Sequence, residues 1–202
     1  MTSPDPPRPG ADFATKPLEL RQFTIRGYKR IFWTSRPPLD FPQGVGRFNA
    51  PPSARAFRVL YAADTLACCF AETLIRDRWA LLGGPAPITM EDLELRSVVE
   101  LESTGTVAVI DLTGPGALRA GIPSAVAKAA DYALSQTWSQ AFWAHPSAPD
   151  GILYRSRLDD DSLCVALYDR AAPKLRAVDT KPLMRHPDRD KALERYRVQI
   201  IP

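Results

Sequence analysis

Apolar and polar positions along the chain separate into short strand-like runs and two helix-like runs. Aromatic and β-branched residues are concentrated in residues 20–35, and an apolar run at 57–63, FRVLYAA, is also typical of a strand. Further strand candidates cover residues 97–103, 105–113, 150–157, 162–169 and 196–201. The runs at 150–157 and 162–169 predict a late hairpin.

Two segments carry apolar residues at helical spacing. The first covers residues 64–82, where Asp64 or Thr65 can cap the helix. Its buried stripe is predicted to contain Leu66, Cys69, Phe70, Thr73 and Leu74. The second helix is predicted over residues 123–144. Strands outnumber helices and the helices fall between them, so the pattern predicts an α+β fold.

Proline-rich polar segments predict an arm and a loop. Residues 1–19 are expected to form a flexible arm, which leaves residues 20–202 as a single domain. A long loop with several prolines spans residues 36–54, and loops of this length are functional or disordered. It contains Arg47 in the stretch GVGRFNAPP. There Arg47 is either a solvated turn residue or a guanidinium placed to bind an anion.

Composition and charge narrow the classes of partner. The chain has 202 residues, of which 45% are hydrophobic and 24% charged, with a net charge of +3. Its basic residues are scattered among acidic ones, which favours phosphate groups on a small ligand and argues against direct binding of nucleic acid. No apolar run is long enough to span a membrane, so a cytoplasmic protein with no membrane partner is expected.

Cysteine and histidine usage limits the chemistry. The three cysteines, Cys68, Cys69 and Cys164, include no CxxC spacing, so we interpret them as buried thiols without disulfide or zinc. The two histidines, His145 and His186, each precede a proline and belong to no recognisable motif. We therefore expect loop histidines, no metal, and an enzyme that relies on carboxylates, arginines and hydroxyls.

Three other residues have ordinary interpretations when taken singly. Glu72 lies off the apolar stripe, four residues before Arg76, which is the spacing of a helix-surface ion pair. Tyr61 ends a predicted strand and would be a core or edge aromatic. Ser156, between two arginines, would be a strand or loop hydroxyl.

The order of these residues along the chain changes the interpretation. GRFN, then VLYAADTLACCFAETL, then DGILYRSR resembles the RES-domain family, named for its Arg, Glu and Ser, over roughly residues 28–168. The resemblance implies an ADP-ribosyltransferase-like fold, a split, twisted β core with surrounding helices that binds NAD in a cleft. The chain has no GxGxxG after a strand, so a Rossmann site is not indicated.

The resemblance also implies roles for particular positions. Arg47, Tyr61 and Glu72 match the loop arginine, the strand-end tyrosine and the helix glutamate, and are the expected catalytic residues. Ser156 matches the late serine and is expected to bind NAD together with Arg47 and Tyr61.

The family pattern includes an earlier arginine whose position is ambiguous. Arg30 is the best match and is expected to bind NAD, but Arg26 and Arg36 compete with it.

The resemblance implies that the protein is an NAD-consuming enzyme, a glycohydrolase or phosphorylase. Many family members are toxins of type II toxin–antitoxin pairs, so we expect an antitoxin partner with a helix-turn-helix DNA-binding domain, in a homo- or hetero-oligomer. Alternatives are an ADP-ribosyltransferase that modifies a protein target, or a non-catalytic module that binds a nucleotide or a partner. Water, phosphate and a protein side chain remain open as acceptors.

The residue types suit this chemistry. An arginine offers a planar fork of donors that fits the oxygens of the NAD pyrophosphate. Nicotinamide leaves as a neutral pyridine, so no general acid is required and the scarcity of histidine is explained. The positive charge that develops on the ribose needs a nearby carboxylate, which we expect to be Glu72.

Overall fold

An eight-stranded twisted sheet forms the centre of the protein. The computed structural model describes residues 6–76 and 87–202. The strands are β1 Leu20–Phe23, β2 Tyr28–Trp33, β3 Val59–Ala63, β4 Ile88–Thr89, β5 Arg96–Ser103, β6 Val107–Asp111, β7 Gly151–Arg155, β8 Leu163–Tyr168, β9 Leu175–Pro182 and β10 Ile200–Ile201. The central sheet has the order β1-β6-β7-β8-β3-β2-β5-β9, and β4 pairs separately with β10.

Helices and short 3₁₀ turns pack around this sheet. The helices are α1 Leu66–Phe70, continued by a π-helical segment Ala71–Ile75, α2 Met90–Glu94, α3 Pro115–Arg119, α4 Ala125–Lys128, α5 Ala133–Ala144 and α6 Arg189–Arg195. One apolar cluster lies between the sheet and these helices, and a second cluster covers the other face. The α+β class and the split, twisted core are therefore confirmed.

The split lies between β2 and β3. β2 pairs with β5 along its full length, whereas in the described strands it pairs with β3 only where Lys29 lies opposite Ala63. β3 is paired on its other side with β8 along its whole length. The two strands therefore separate beyond that point, and the opening admits side chains from elsewhere in the fold.

The first helix begins where the sequence predicts it. Thr65 is the N-cap, since its Oγ1 accepts a hydrogen bond from Cys68 N at 3.1 Å. Asp64, the other capping candidate, accepts from Leu163 N at 2.9 Å and so ties the helix start to β8. The predicted helix residues 77–82 lie outside the described part of the chain.

The prediction of one continuous second helix over residues 123–144 is wrong. It consists of α4 and α5, separated at Ala129, whose φ of −58° and ψ of 146° are extended. The Asp131 carboxylate accepts from Ala133 N at 3.0 Å and so starts α5 afresh. A side chain that competes for backbone N–H groups in this way interrupts helical pairing.

Two predicted strands also differ from the structure. Residues 20–35 form β1 and β2, because the chain turns between them at Gly27, whose φ is +69°. Of the predicted closing strand 196–201, Ile200–Ile201 is extended. The predicted strands at 57–63, 97–103, 105–113, 150–157 and 162–169 correspond to β3, β5, β6, β7 and β8.

Part of the proline-rich arm contacts the domain. Phe13 is buried, with its ring centroid 5.3 Å from that of Trp138, and Trp138 Nε1 donates to Pro7 O at 3.1 Å. His145, expected in a loop, directly follows α5 and is buried beside the Phe13 ring. The flexible arm at 1–19 and the single domain at 20–202 stay predictions.

All three cysteines are free and buried. Within the described residues, 6–76 and 87–202, no helix is long and apolar enough to cross a membrane.

Candidate active site

The opening between β2 and β3 contains a cleft of about 250 Å³. Four of the residues predicted from sequence line it: Arg30, Arg47, Tyr61 and Glu72. The fifth, Ser156, is fully buried behind the wall and contacts Glu72. The structure thus brings residues from a loop, two strands and a helix to one place.

The loop that carries Arg47 is fixed by hydrogen bonds to three side chains, one on β3 and two on α5. The Tyr61 hydroxyl donates to Asn49 Oδ1 at 2.8 Å and accepts from Phe48 N at 2.9 Å. From α5, Ser139 Oγ donates to Phe48 O at 2.7 Å and Gln136 Nε2 donates to a further loop carbonyl, Gly46 O, at 3.1 Å. This loop therefore holds its arginine in one place before any ligand binds.

Gly46 allows the loop to approach Tyr61 closely. A Cβ at this position would lie 2.4 Å from Asn49 Oδ1 and 2.8 Å from the Tyr61 hydroxyl oxygen, which is too close for either contact. Any larger residue would displace the atoms that position Arg47.

Arg47 is buried against the break between α4 and α5. Its Nη1 donates to Ala129 O at 2.5 Å, and its guanidinium carbon lies 5.1 Å from the centroid of the Tyr132 ring. Burial lowers the pKa of Arg47 from its ordinary value. Within the described residues it forms no ion pair with a carboxylate, so its positive charge is available to a ligand.

Arg30 is an even clearer case of an unpaired buried cation. It is 9% exposed, and burial lowers its pKa to about 10. Its Nε is buried without a hydrogen-bond partner in the described ranges, where Arg30 also lacks an ion pair. Burying an unpaired charge is costly, so this arrangement indicates a place for an anion.

The other two candidates for the early arginine lie elsewhere. Arg26 is exposed in the connection between β1 and β2. Arg36 is also exposed, and its Nη1 donates to Asp40 Oδ2 at 3.1 Å. Of these three arginines, Arg30 is the one in the cleft.

Glu72 lies in the π-helical segment that continues α1. Its side chain is partly exposed to the cleft, and its Oε1 accepts a hydrogen bond from Ser156 Oγ at 2.7 Å. π-helical turns are rare and are frequently found at functional sites. Ser156, predicted to bind NAD, is 0% exposed and is connected to the cleft by its hydrogen bond to Glu72.

The cleft also contains residues that the sequence did not assign to it. Tyr132 lines it, with the guanidinium carbons of Arg47 and Arg76 at 5.1 and 6.0 Å from its ring centroid. Arg76, whose spacing from Glu72 is that of a helix-surface ion pair, also lines the cleft. Tyr132 was missed because it lies in the unpredicted break between α4 and α5.

The arrangement combines several arginines with one carboxylate and aromatic rings. Burial raises the pKa of Tyr61 well above its ordinary value, so its hydroxyl stays protonated at neutral pH. Among the described residues, no group of three or more His, Cys, Asp or Glu side chains could hold a metal ion. The cleft is suited to binding an anionic ligand and stabilising a positive charge beside Glu72.

Comparison with known proteins identifies relatives. The sequence pattern of the RES domain matches residues 23–191. The chain is 38% identical over 110 residues to "Probable toxin y4kH" of Sinorhizobium fredii (strain NBRC 101917 / NGR234), which covers 54% of this chain and 86% of that protein.

The fold resembles a solved structure. A chain of the crystal structure of the M. tuberculosis MbcT-MbcA toxin-antitoxin complex superimposes with a TM-score of 0.61 and 21% identity, covering 80% of this chain and 85% of that one. At this identity the likeness concerns the fold. The RES match covers most of the chain, which therefore belongs to the RES domain family.

Proposed function

We propose that this protein cleaves NAD at the bond between nicotinamide and ribose. The proposal rests on one observation: Glu72 lies in the same cleft as two buried arginines, Arg30 and Arg47. Neither arginine forms an ion pair in the described residues. NAD offers a negatively charged pyrophosphate for the arginines and a reacting ribose for the carboxylate.

The arginines would bind the pyrophosphate. A guanidinium presents parallel N–H donors that match phosphate oxygens, and the burial of both arginines strengthens that attraction. Arg47 lies in a loop already held by Tyr61 and α5, so little conformational entropy is lost when the ligand binds. Arg30 gains the counter-charge that it lacks.

Glu72 would stabilise the transition state. As the bond to nicotinamide lengthens, positive charge develops on the ribose as in glycoside hydrolysis, and nicotinamide leaves as a neutral ring. The Glu72 carboxylate, oriented by Ser156, would face that charge or the ribose hydroxyls. The Tyr61 hydroxyl is engaged with the loop, so it is the face of its ring that would contact ribose or nicotinamide.

The acceptor of the ADP-ribose defines the exact activity. Transfer to water makes the protein a glycohydrolase and transfer to phosphate makes it a phosphorylase, which are the two forms we propose. Transfer to a protein side chain would make it an ADP-ribosyltransferase, and binding without turnover would make it a nucleotide-binding module.

One assay separates these activities. The purified protein is incubated with NAD, with and without inorganic phosphate, and the products are separated by chromatography and mass spectrometry. We expect nicotinamide together with free ADP-ribose, or with a phosphorylated ADP-ribose when phosphate is present. Labelled NAD and a cell lysate test the protein acceptor. Thermal stabilisation by NAD with no nicotinamide released under any condition would refute the catalytic proposal.

We also propose that the protein is the toxin of a toxin–antitoxin pair, held inactive by an antitoxin with a helix-turn-helix domain. The names of the S. fredii and M. tuberculosis proteins support this proposal. Induced expression of the chain should halt growth and deplete cellular NAD, and Glu72→Gln should do neither. Growth arrest by both forms alike would contradict an NAD-dependent toxin.

A further inference from the structure

The turn at residues 156–159 determines which way the Ser156 hydroxyl points. Ser156 Oγ accepts hydrogen bonds from Leu158 N and Asp159 N, both at 3.1 Å, and donates to Glu72 Oε1 at 2.7 Å. A serine hydroxyl has one hydrogen and two lone pairs. Because the two amide groups occupy the lone pairs, the hydrogen is directed at Glu72.

The backbone closes this turn into a rigid loop. Ser156 N donates to Ser162 O at 3.1 Å, and Ser162 N donates to Asp159 O at 2.9 Å. A shift of Asp159 therefore moves one of the two amides that fix the Ser156 hydroxyl.

The Asp159 side chain is held by the C-terminal segment, here residues 189–196, which comprises α6 and Tyr196. Its Oδ1 accepts from Arg195 Nη2 at 2.7 Å, and its Oδ2 accepts from the Tyr196 hydroxyl at 2.9 Å and from Ser162 Oγ at 3.1 Å. The Asp159 side chain is 6% exposed. Burial alone would raise the pKa of Asp159, but the bonds from Arg195, Tyr196 and Ser162 hold that pKa below its ordinary value. Asp159 is therefore an ionised, fully engaged anchor.

The C-terminal segment also contacts the helix that carries Glu72. α6 packs against α1, the helix that the π-helical segment with Glu72 continues. Arg195 and Tyr196 lie beyond residue 191, where the RES match ends. The anchor of Asp159 is thus supplied by a part of the chain outside the matched family region.

We infer that Asp159, clamped by Arg195 and Tyr196, is a positioning residue that fixes the Ser156 turn and thereby orients the Glu72 carboxylate in the cleft. The catalytic part of this inference rests on the proposed function. The structural part, that the clamp orders the amides behind Ser156, stands independently and is tested independently.

The first test measures catalysis in Asp159→Asn. Asparagine keeps the size of the side chain but presents an N–H group where a carboxylate oxygen accepts. We expect kcat for nicotinamide release to fall about tenfold with KM for NAD within about twofold, because the ligand site is intact and the carboxylate is misaligned. Asp160→Asn, the same change one residue along at a side chain 70% exposed, is the control and should retain the kcat of the unmodified protein.

A double-mutant cycle distinguishes positioning from general stability. If Asp159 acts through Ser156, then Asp159→Asn should lower kcat much less in a Ser156→Ala background than in the unmodified protein. Equal fold-losses in the two backgrounds, an unchanged kcat, or a rise in KM alone would overturn the positioning role.

The second test needs no activity. Amide hydrogen exchange at Leu158 and Asp159 should accelerate in Tyr196→Phe, which removes one donor to Asp159 and keeps the ring. If Asp159→Asn does not fold, hydrogen exchange and kcat measured in Tyr196→Phe test the positioning role of Asp159 in its place. Unchanged exchange would overturn the clamp. If the unmodified protein releases no nicotinamide but exchange accelerates, the proposed function fails while the clamp stands.

Discussion

Two charged regions of this protein differ in how their cations are neutralised. Beside α6, a groove is lined by Lys29, Lys191 and Arg195 together with aspartates. Each of these three cations has a carboxylate partner. The pairs are Lys29–Glu100 at 2.9 Å, Lys191–Asp188 at 3.1 Å and Arg195–Asp159 at 2.7 Å.

The cleft between β2 and β3 is the opposite case. Arg30 and Arg47 are more deeply buried than the cations of the α6 groove, yet within the described residues neither forms an ion pair. Glu72, the carboxylate lining the same cleft, accepts its hydrogen bond from a serine. The paired region contributes to holding the fold together, whereas Arg30 and Arg47 in the cleft retain positive charge that a bound anion can neutralise.

The largest effect on the rate of nicotinamide release should appear when one carboxylate of each region is replaced in separate variants. Glu72→Gln should lower nicotinamide release from NAD by about 10²–10³-fold, because it removes the negative charge that faces the developing ribose cation. Glu100→Gln removes a carboxylate of the paired region and should leave the rate nearly unchanged. Both rates are measured by chromatography at saturating NAD. A folded Glu72→Gln protein with full activity would show that the carboxylate has no catalytic role.

Replacement of two adjacent cations on β2, Arg30 and Lys29, gives a second comparison. In the Arg30 variant, ligand affinity should fall while thermal stability rises. Arg30→Met should weaken binding of ADP-ribose about 10–100-fold, since one charge-assisted contact to the pyrophosphate is lost. In the absence of ligand it should raise Tm by about 2–4 °C, because an unpaired buried charge is removed. Lys29→Met should leave binding unchanged and lower Tm slightly, since it leaves Glu100 without its partner.

Calorimetry and thermal unfolding measure these two quantities. A decrease in the Tm of unliganded Arg30→Met would mean that the guanidinium is satisfied in the free protein. The contrast between the two regions would then be lost.

Most of the cleft could be predicted from the sequence because its residues lie in short ordered stretches. The GRFN turn, the strand that contains Tyr61 and the helix with Glu72 are local features, and local patterns encode them. That Arg47 and Glu72 face one cleft depends on the sheet between them. The order of motifs along the chain suggested this proximity through the family resemblance, and the structure shows it.

The features that sequence analysis left open or missed depend on contacts between distant residues. The sequence favoured Arg30 but left Arg26 and Arg36 as competitors, because the choice depends on where β2 separates from β3, which no local pattern records. The break at Ala129 places its carbonyl against Arg47, 82 residues earlier in the chain. Helical periodicity across residues 123–144 concealed that break, and with it the position of Tyr132.

The smallest effect should be the pH dependence of the free energy of unfolding that Asp159 contributes. Asp159 has a lowered pKa, so its contribution to the free energy of unfolding is complete above the unfolded pKa of about 3.9 and is lost as pH falls through the folded value. The stability difference between the unmodified protein and Asp159→Asn should therefore be largest near neutral pH and shrink between about pH 5 and pH 2. Tyr196→Phe removes one of the donors that lower this pKa, so it should show a weaker form of the same dependence. Urea unfolding at a series of pH values measures both differences. A difference for Asp159→Asn that stayed constant with pH would show that the loss comes from packing and that the carboxylate charge contributes nothing to the clamp.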